Sequence, residues 1–265
     1  MCLTRPSFWY RVTYRGAVNS AGLAMACLPG VILGHNGAVA WSVTLGYCDV
    51  EDLFLERFNC DGHYEHAGTW HAPEAWEETF RVKGDNEPTV VKMRRTRHGP
   101  VLEDSFARMQ PMAGDLRRRH EAQHNDMTYA LAYAGLPTRP KTLAFVGLRR
   151  MLDAHDYASF DSALAYASTV ISLNFSFAST AGHIGYVLCG EVPLGRGQRG
   201  NNARGGDEWF PLCGWSGEHD YTGWLPHSEL PKAFNPPSGL IISANHAVVD
   251  YESYPHYLGN VFRAG

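Results

Sequence analysis

Three stretches of this sequence carry residue types at spacings suited to chemistry. His120-Glu121-Ala122-Gln123-His124 is an H-E-x-x-H array. On a helix its histidines would share one face and could hold zinc, with Glu121 as general base. That chemistry needs a helix seated by an apolar stripe. Here Arg117-Arg118-Arg119 precede the array and Asn125-Asp126 follow it, so a solvated polar segment is the better reading and a zinc peptidase the alternative. Gly195-Arg196-Gly197-Gln198-Arg199-Gly200 matches G-x-G-x-x-G, but a dinucleotide loop needs a strand before it and a helix opening within it. Pro193 before and Asn201 to Gly206 after supply neither. His63, His66 and His71 lie close in sequence, yet on a hairpin they need not converge. No G-x-S-x-G nucleophile elbow occurs.

The six cysteines are scattered without a C-x-x-C pair, which excludes a zinc ribbon or thioredoxin motif and leaves free, buried thiols as the expectation. Hydrophobic residues make up 45% of the chain and charged ones 19%, as in an ordinary soluble domain. The net charge of -4 offers no basic field for nucleic acid, and no apolar run is long enough to span a membrane as a helix. Met1 to Pro6 lacks the basic and apolar regions of a secretory signal.

The elements that must position any site read as strands around a short helical layer. Ser7 to Tyr14, Val39 to Leu45 and Leu53 to Phe58 have strand patterning. Tyr64 to Trp70 reads as a tight hairpin around Ala67-Gly68. A second hairpin joins Thr79–Lys83 to Thr89–Arg95 through Gly84-Asp85-Asn86. Residues 103–126 read as an irregular loop. Helices are expected over 141–154 and 156–167, the second capped by Asp156. Strands return at Leu173 to Ser179 and His183 to Cys189, and Gly239 to Ala244 reads as one more buried strand. The fold class is therefore α+β, taken as one incomplete domain over residues 1–265 with a helical insert at about 127–168.

Several blocks in order carry a resemblance: Pro6-Ser7-Phe8-Trp9-Tyr10, Leu28 to Trp41, Asp49-Val50-Glu51-Asp52-Leu53-Phe54, Arg95 to Pro100, the Asn174 strand, Gly185-Tyr186-Val187, and Asn235 to Asn245. Their order and spacing resemble the larger subunit of penicillin acylases and of the related acyl-homoserine-lactone acylases. The resemblance implies an N-terminal-nucleophile hydrolase, with stacked antiparallel sheets and flanking helices. In that family a serine exposed by precursor cleavage attacks the linear amide of an N-acyl compound, with its own α-amine as base. An asparagine side chain and a backbone N–H hold the resulting oxyanion.

Carried over residue by residue, the resemblance makes Asn245 the oxyanion asparagine and Leu45 the source of the backbone N–H, with Arg263 near the active site. Leu33, Val43 and Leu173 match acyl-pocket positions, so an apolar acyl group is implied. Asp49, Glu51 and Asp52, joined by Glu208, match a calcium loop; no organic cofactor is implied. The family's serine falls before Met1, and Cys2 is out of register with it. The expectation is accordingly a fragment without its nucleophile, inactive without the small subunit and the rest of the large one. A binding remnant that keeps the acyl pocket is the competing reading. Export to the periplasm or beyond is implied for the parent family only.

Overall fold

The computed structural model describes residues 7–26, 28, 30–102, 128–134, 143–167, 171–195, 211–245, 249, 254–256, 258 and 259. The chain divides into two compact units where the sequence reading takes one domain. The first draws on residues 1–50, 137–193 and 224–265, and the second on 51–136 and 194–223.

In the first unit, a seven-stranded antiparallel sheet runs in the order β1 (Trp9–Tyr14), β2 (Ser20–Met25), β3 (Leu33–His35), β4 (Val39–Leu45), β11 (Leu173–Ser179), β12 (Ile184–Cys189) and β16 (Lys232–Phe234). Side chains alternate across a strand, so register decides which residues share a face. Val39, Trp41, Val43 and Leu45 lie opposite Ser179, Phe177, Phe175 and Leu173. This face meets the helices. Trp41, Phe175 and Phe177 surround Phe160 of α2 (Tyr157–Tyr166), and Met151 of α1 (Leu143–Met151) joins the same core. Thr44, Asn174, Ser176 and Tyr186 occupy the opposite face.

Local chemistry fixes the helices as the sequence suggests. Asp156 accepts from the Ser159 N–H at 2.8 Å, and the Ser159 hydroxyl accepts in return from the Asp156 N–H at 3.1 Å, a reciprocal capping box. A Cβ on Gly147 would lie 2.3 Å from the Ala167 nitrogen, so α1 approaches the end of α2 as only glycine allows. Asn36 links sheet to helix. Its Nδ2 donates to the carbonyls of Leu152 at 3.1 Å and Ala154 at 2.5 Å, while Oδ1 accepts the N–H groups of Ala38 and Val39. One asparagine thus satisfies carbonyls left open after α1 and shapes the turn into β4.

In the second unit, β5 (Asp52–Phe58), β6 (Tyr64–His66), β7 (Thr69–His71) and β10 (Thr128–Ala134) pair antiparallel in the order β10-β5-β6-β7, and β14 (Leu212–Cys213) runs parallel to β5. Ala67 and Gly68 take φ values of 48° and 77°, the left-handed pair that a two-residue hairpin requires. The second hairpin is β8 (Glu74–Phe80) against β9 (Thr89–Arg95), so its first strand starts earlier than sequence patterning indicates. Short strands β13 (Pro193–Leu194) and β15 (Gly223–Trp224) pair with each other.

Antiparallel sheet and two helices make the α+β class plain. Two expectations need correction. The helical insert does not begin near 127, because Thr128–Ala134 forms β10 along the whole of β5. Ala130, Ala132 and Ala134, two residues apart along the strand, are buried. Gly239 to Ala244 is not a buried strand either. β16 pairs with β12 instead, and Leu240 and Ile242 are 68% and 71% exposed. Pro236-Pro237, with no N–H to give, and Gly239 at φ 67° turn the chain out of the ladder.

Candidate functional site

β4 ends at Leu45, and the loop after β16 returns to that point. The Leu45 backbone N–H donates to Asn245 Oδ1 at 2.8 Å, and two residues earlier Ser243 Oγ lies 2.5 Å from Thr44 Oγ1. Asn245 sits at φ 55°, a left-handed conformation that asparagine tolerates. The strand end is held from the sheet. Asn174 is buried and donates through Nδ2 to the Leu45 carbonyl at 3.0 Å and to Thr44 Oγ1 at 3.3 Å. Its Oδ1 accepts the Tyr186 hydroxyl at 2.6 Å. A buried amide therefore fixes the Leu45 carbonyl, while an exposed amide engages its N–H. Turning the Asn245 amide over exchanges Oδ1 for Nδ2 and sets two neutral N–H donors side by side.

Other residues expected at this site are placed less uniformly. Val43 and Leu173 share the helix-facing side of the sheet and pack against its core. Leu33 does not join them: Gly34 opposes Trp41, which puts Leu33 on the opposite face. The three do not line one wall. Asp52 is buried and accepts the Tyr221 hydroxyl at 2.5 Å, and that hydroxyl also lies 3.0 Å from the Ala134 carbonyl. Asp49 donates its backbone N–H to Leu258 at 2.8 Å. The carboxylates of Asp49, Glu51 and Asp52 suit a hard cation by donor type. Among the described residues they do not gather into a three-ligand group. Glu208, Arg263 and the His120, Glu121 and His124 array lie outside the described residues.

A second polar cluster occupies the second unit. His98, in the turn after β9, points Nδ1 at Glu56 Oε1, 2.7 Å away, and Nε2 at Asp220 Oδ1, 2.9 Å away. His66, at the end of β6, faces Asp220 Oδ2 with Nε2 at 2.9 Å and accepts from Arg97 Nη1 at Nδ1, 3.0 Å away. Arg97 also pairs with Asp220 Oδ2 at 2.8 Å. The His98 ring stacks on Phe54 with centroids 4.0 Å apart and planes 4° apart. Glu56 is fully buried; Thr96 donates to its Oε1, and Oε2 has no hydrogen-bond partner. Burial pushes the Asp220 carboxyl up, but hydrogen bonds from His98 and His66 and the Arg97 charge outweigh it and hold the group below the usual carboxylate range.

Sequence reasoning missed this cluster. His66 was weighed only against its hairpin neighbours, whereas its partners come from the Arg95–Pro100 turn and the segment before β15. The available signal was Glu56, a charged residue that alternates into the buried positions of a strand whose core side is Phe54 and Phe58. The described cysteines are free thiols, as expected. Burial raises the Cys48 thiol to about 11 and Cys189 to about 12, so neither is a thiolate nucleophile near neutral pH.

Comparison with known proteins gives a consistent picture. The family model described as penicillin amidase matches residues 1–265. Penicillin acylase 2 proenzyme from Pseudomonas sp. (strain SE83) is 33% identical over 242 residues, covering 89% of this chain and 27% of that protein. The acyl-homoserine lactone acylase QuiP of Pseudomonas aeruginosa is 30% identical, covering 93% of this chain and 27% of its own length. Among solved structures, a thermostable penicillin G acylase from Alcaligenes faecalis aligns over 97% of this chain and 42% of that one, with a TM-score of 0.74 at 22% identity. The likeness to that structure establishes the fold, and the chain spans about a quarter of the length of the curated relatives it matches.

Proposed function

The chain belongs to the penicillin amidase family, and we propose that it stabilises the negative oxygen formed when the carbonyl of a linear amide is attacked. The substrate class is an N-acyl small molecule. Penicillin acylases and acyl-homoserine lactone acylases among the relatives both act on such bonds by their names. One observation supports the reading above the rest: the Leu45 N–H and the Asn245 side chain, 200 positions apart, meet at 2.8 Å at an exposed strand end.

On substrate binding, the carbonyl oxygen takes the place of Asn245 Oδ1 at the Leu45 N–H. The Asn245 amide turns over and its NH₂ becomes the second donor. Both donors are neutral and backed by fixed structure, so they favour an oxygen that becomes anionic over the uncharged carbonyl. The acyl chain runs beside the ends of β4 and β11, where Leu45 is 41% exposed next to Val43 and Leu173. A calcium ion, on the same reading, would be structural, held by Asp49, Glu51 and Asp52 together with Glu208, and would take no part in bond breaking.

The test is kinetic. In the natural protein, Asn245→Ala lowers kcat for an N-acyl substrate by about 10²–10³-fold with little change in KM. An unchanged kcat overturns the assignment.

A further inference from the structure

We propose that His66, His98 and Asp220 form a binding site for one divalent transition-metal ion of the zinc type, with Glu56 as the buried carboxylate that orients His98. The site goes beyond the amide chemistry above and lies wholly within the second unit. The candidate ligand atoms, one from each residue, all lie within 4.8 Å of one another. Around a tetrahedral zinc ion, nitrogen and oxygen ligands sit roughly 3.3 Å apart. His66 Nε2 and His98 Nε2 each lie 2.9 Å from Asp220, the first from Oδ2 and the second from Oδ1, so both rings already face the carboxylate that would share the ion.

The support behind the ligands is what separates this cluster from a chance gathering. A metal-binding histidine commonly donates its other ring N–H to a carboxylate, which fixes the tautomer and raises its basicity. His98 Nδ1 has that partner in Glu56 at 2.7 Å, fully buried, and the ring plane is set by Phe54. Glu56 Oε2 is buried without a hydrogen-bond partner, so the carboxyl behind His98 keeps an unmet polar atom that the surrounding structure leaves unexplained. Two nitrogen ligands and one carboxylate suit zinc, cobalt or nickel better than calcium, which takes oxygen only.

Arg97 stands where such an ion would compete. Its guanidinium supplies positive charge to Asp220 and hydrogen-bonds His66 Nδ1, yet its side chain is 45% exposed and can leave for solvent. With the ion bound at both Nε2 atoms and Asp220, His66 Nδ1 carries hydrogen and Arg97 swings out. The ion then ties the end of β6, the turn after β9 and the segment before β15 together, with a fourth position for water.

The experiment uses the full chain, stripped with chelator and titrated with cobalt(II). The expected result is one equivalent bound with the visible absorption of a four-coordinate N/O site, displaced by zinc. His66→Ala, chosen because its ring is less buried than that of His98, weakens binding about tenfold or more. Glu56→Gln weakens it roughly 10–100-fold through the lost support. Arg97→Gln tightens it. Failure of both the wild-type chain and Arg97→Gln to bind stoichiometrically overturns the proposal, as does cobalt affinity that His66→Ala leaves unchanged.

Discussion

At the end of β4 the Leu45 N–H is held by the side chain of Asn245, an exposed and uncharged partner. In the second unit His98, with 5% of its side chain exposed, is held between two carboxylates, and Arg97 closes the remaining side of Asp220. The first contact costs little to exchange, because both groups can return to water or pass to a ligand. The second does not exchange so readily at its buried end, since removing Glu56 or His98 leaves the other without its buried partner. Polar groups at a strand end facing solvent are thus suited to recognition, and the same bond types buried among opposite charges are suited to holding segments together.

The largest effect should come from breaking the closed cluster. Glu56→Ala removes one partner of the buried Glu56–His98 pair, together with the acceptor of the Thr96 hydroxyl, and should cost about 3–5 kcal/mol of unfolding free energy. Chemical denaturation of wild type and variant measures it, and a loss within the surface-substitution range would erase the contrast. Next is the support of the open site. Asn174→Ala removes the amide that donates to the Leu45 carbonyl and accepts the Tyr186 hydroxyl. It should cost about 1–3 kcal/mol. If Asn174→Ala lowers turnover far more than stability, the buried amide acts chiefly by aiming Leu45.

A smaller effect distinguishes the units by pH. Asp161 of α2 accepts from His227 and Lys232, each at 2.8 Å. Burial raises its carboxyl, but these hydrogen bonds and charges outweigh burial and leave it below the ordinary value of 3.8. A carboxylate with a depressed folded pKa contributes stability above its unfolded pKa and loses it as pH falls through the folded one. Asp161→Asn should therefore destabilise the chain at neutral pH, and the gap to wild type should close below about pH 4. Parallel stability–pH curves over that range would remove Asp161 from the account.

Most of the fold was legible because it is local. Val39–Leu45 and Leu173–Ser179 announce strands by patterning, and Asp156 with Ser159 announces a helix start. The failures have physical causes. Thr128–Ala134 is written in alanine, leucine and tyrosine, whose helical flavour conceals a period of two. Leu240-Ile241-Ile242 looks like core only to a reading that has no means of knowing which strand occupies the sheet edge. The site divided along the same line. Asn245 and Leu45 were reachable only through family resemblance, because nothing local to either predicts a contact across 200 positions. That Leu33 faces away from Val43 and Leu173 shows only in the register, and His98 with Asp220 stayed hidden because their 122-residue separation leaves no local pattern.

The most direct test is an NMR titration of the isotope-labelled chain with an alkyl phosphonamidate, in which an anionic tetrahedral phosphorus centre replaces the amide carbonyl and presents the oxygen to be stabilised. The account predicts that the Leu45 backbone N–H and the Asn245 side-chain NH₂ shift together along one saturable curve, and that Asn245→Ala abolishes it. Saturable binding that moves neither resonance, or that Asn245→Ala leaves intact, would contradict the account.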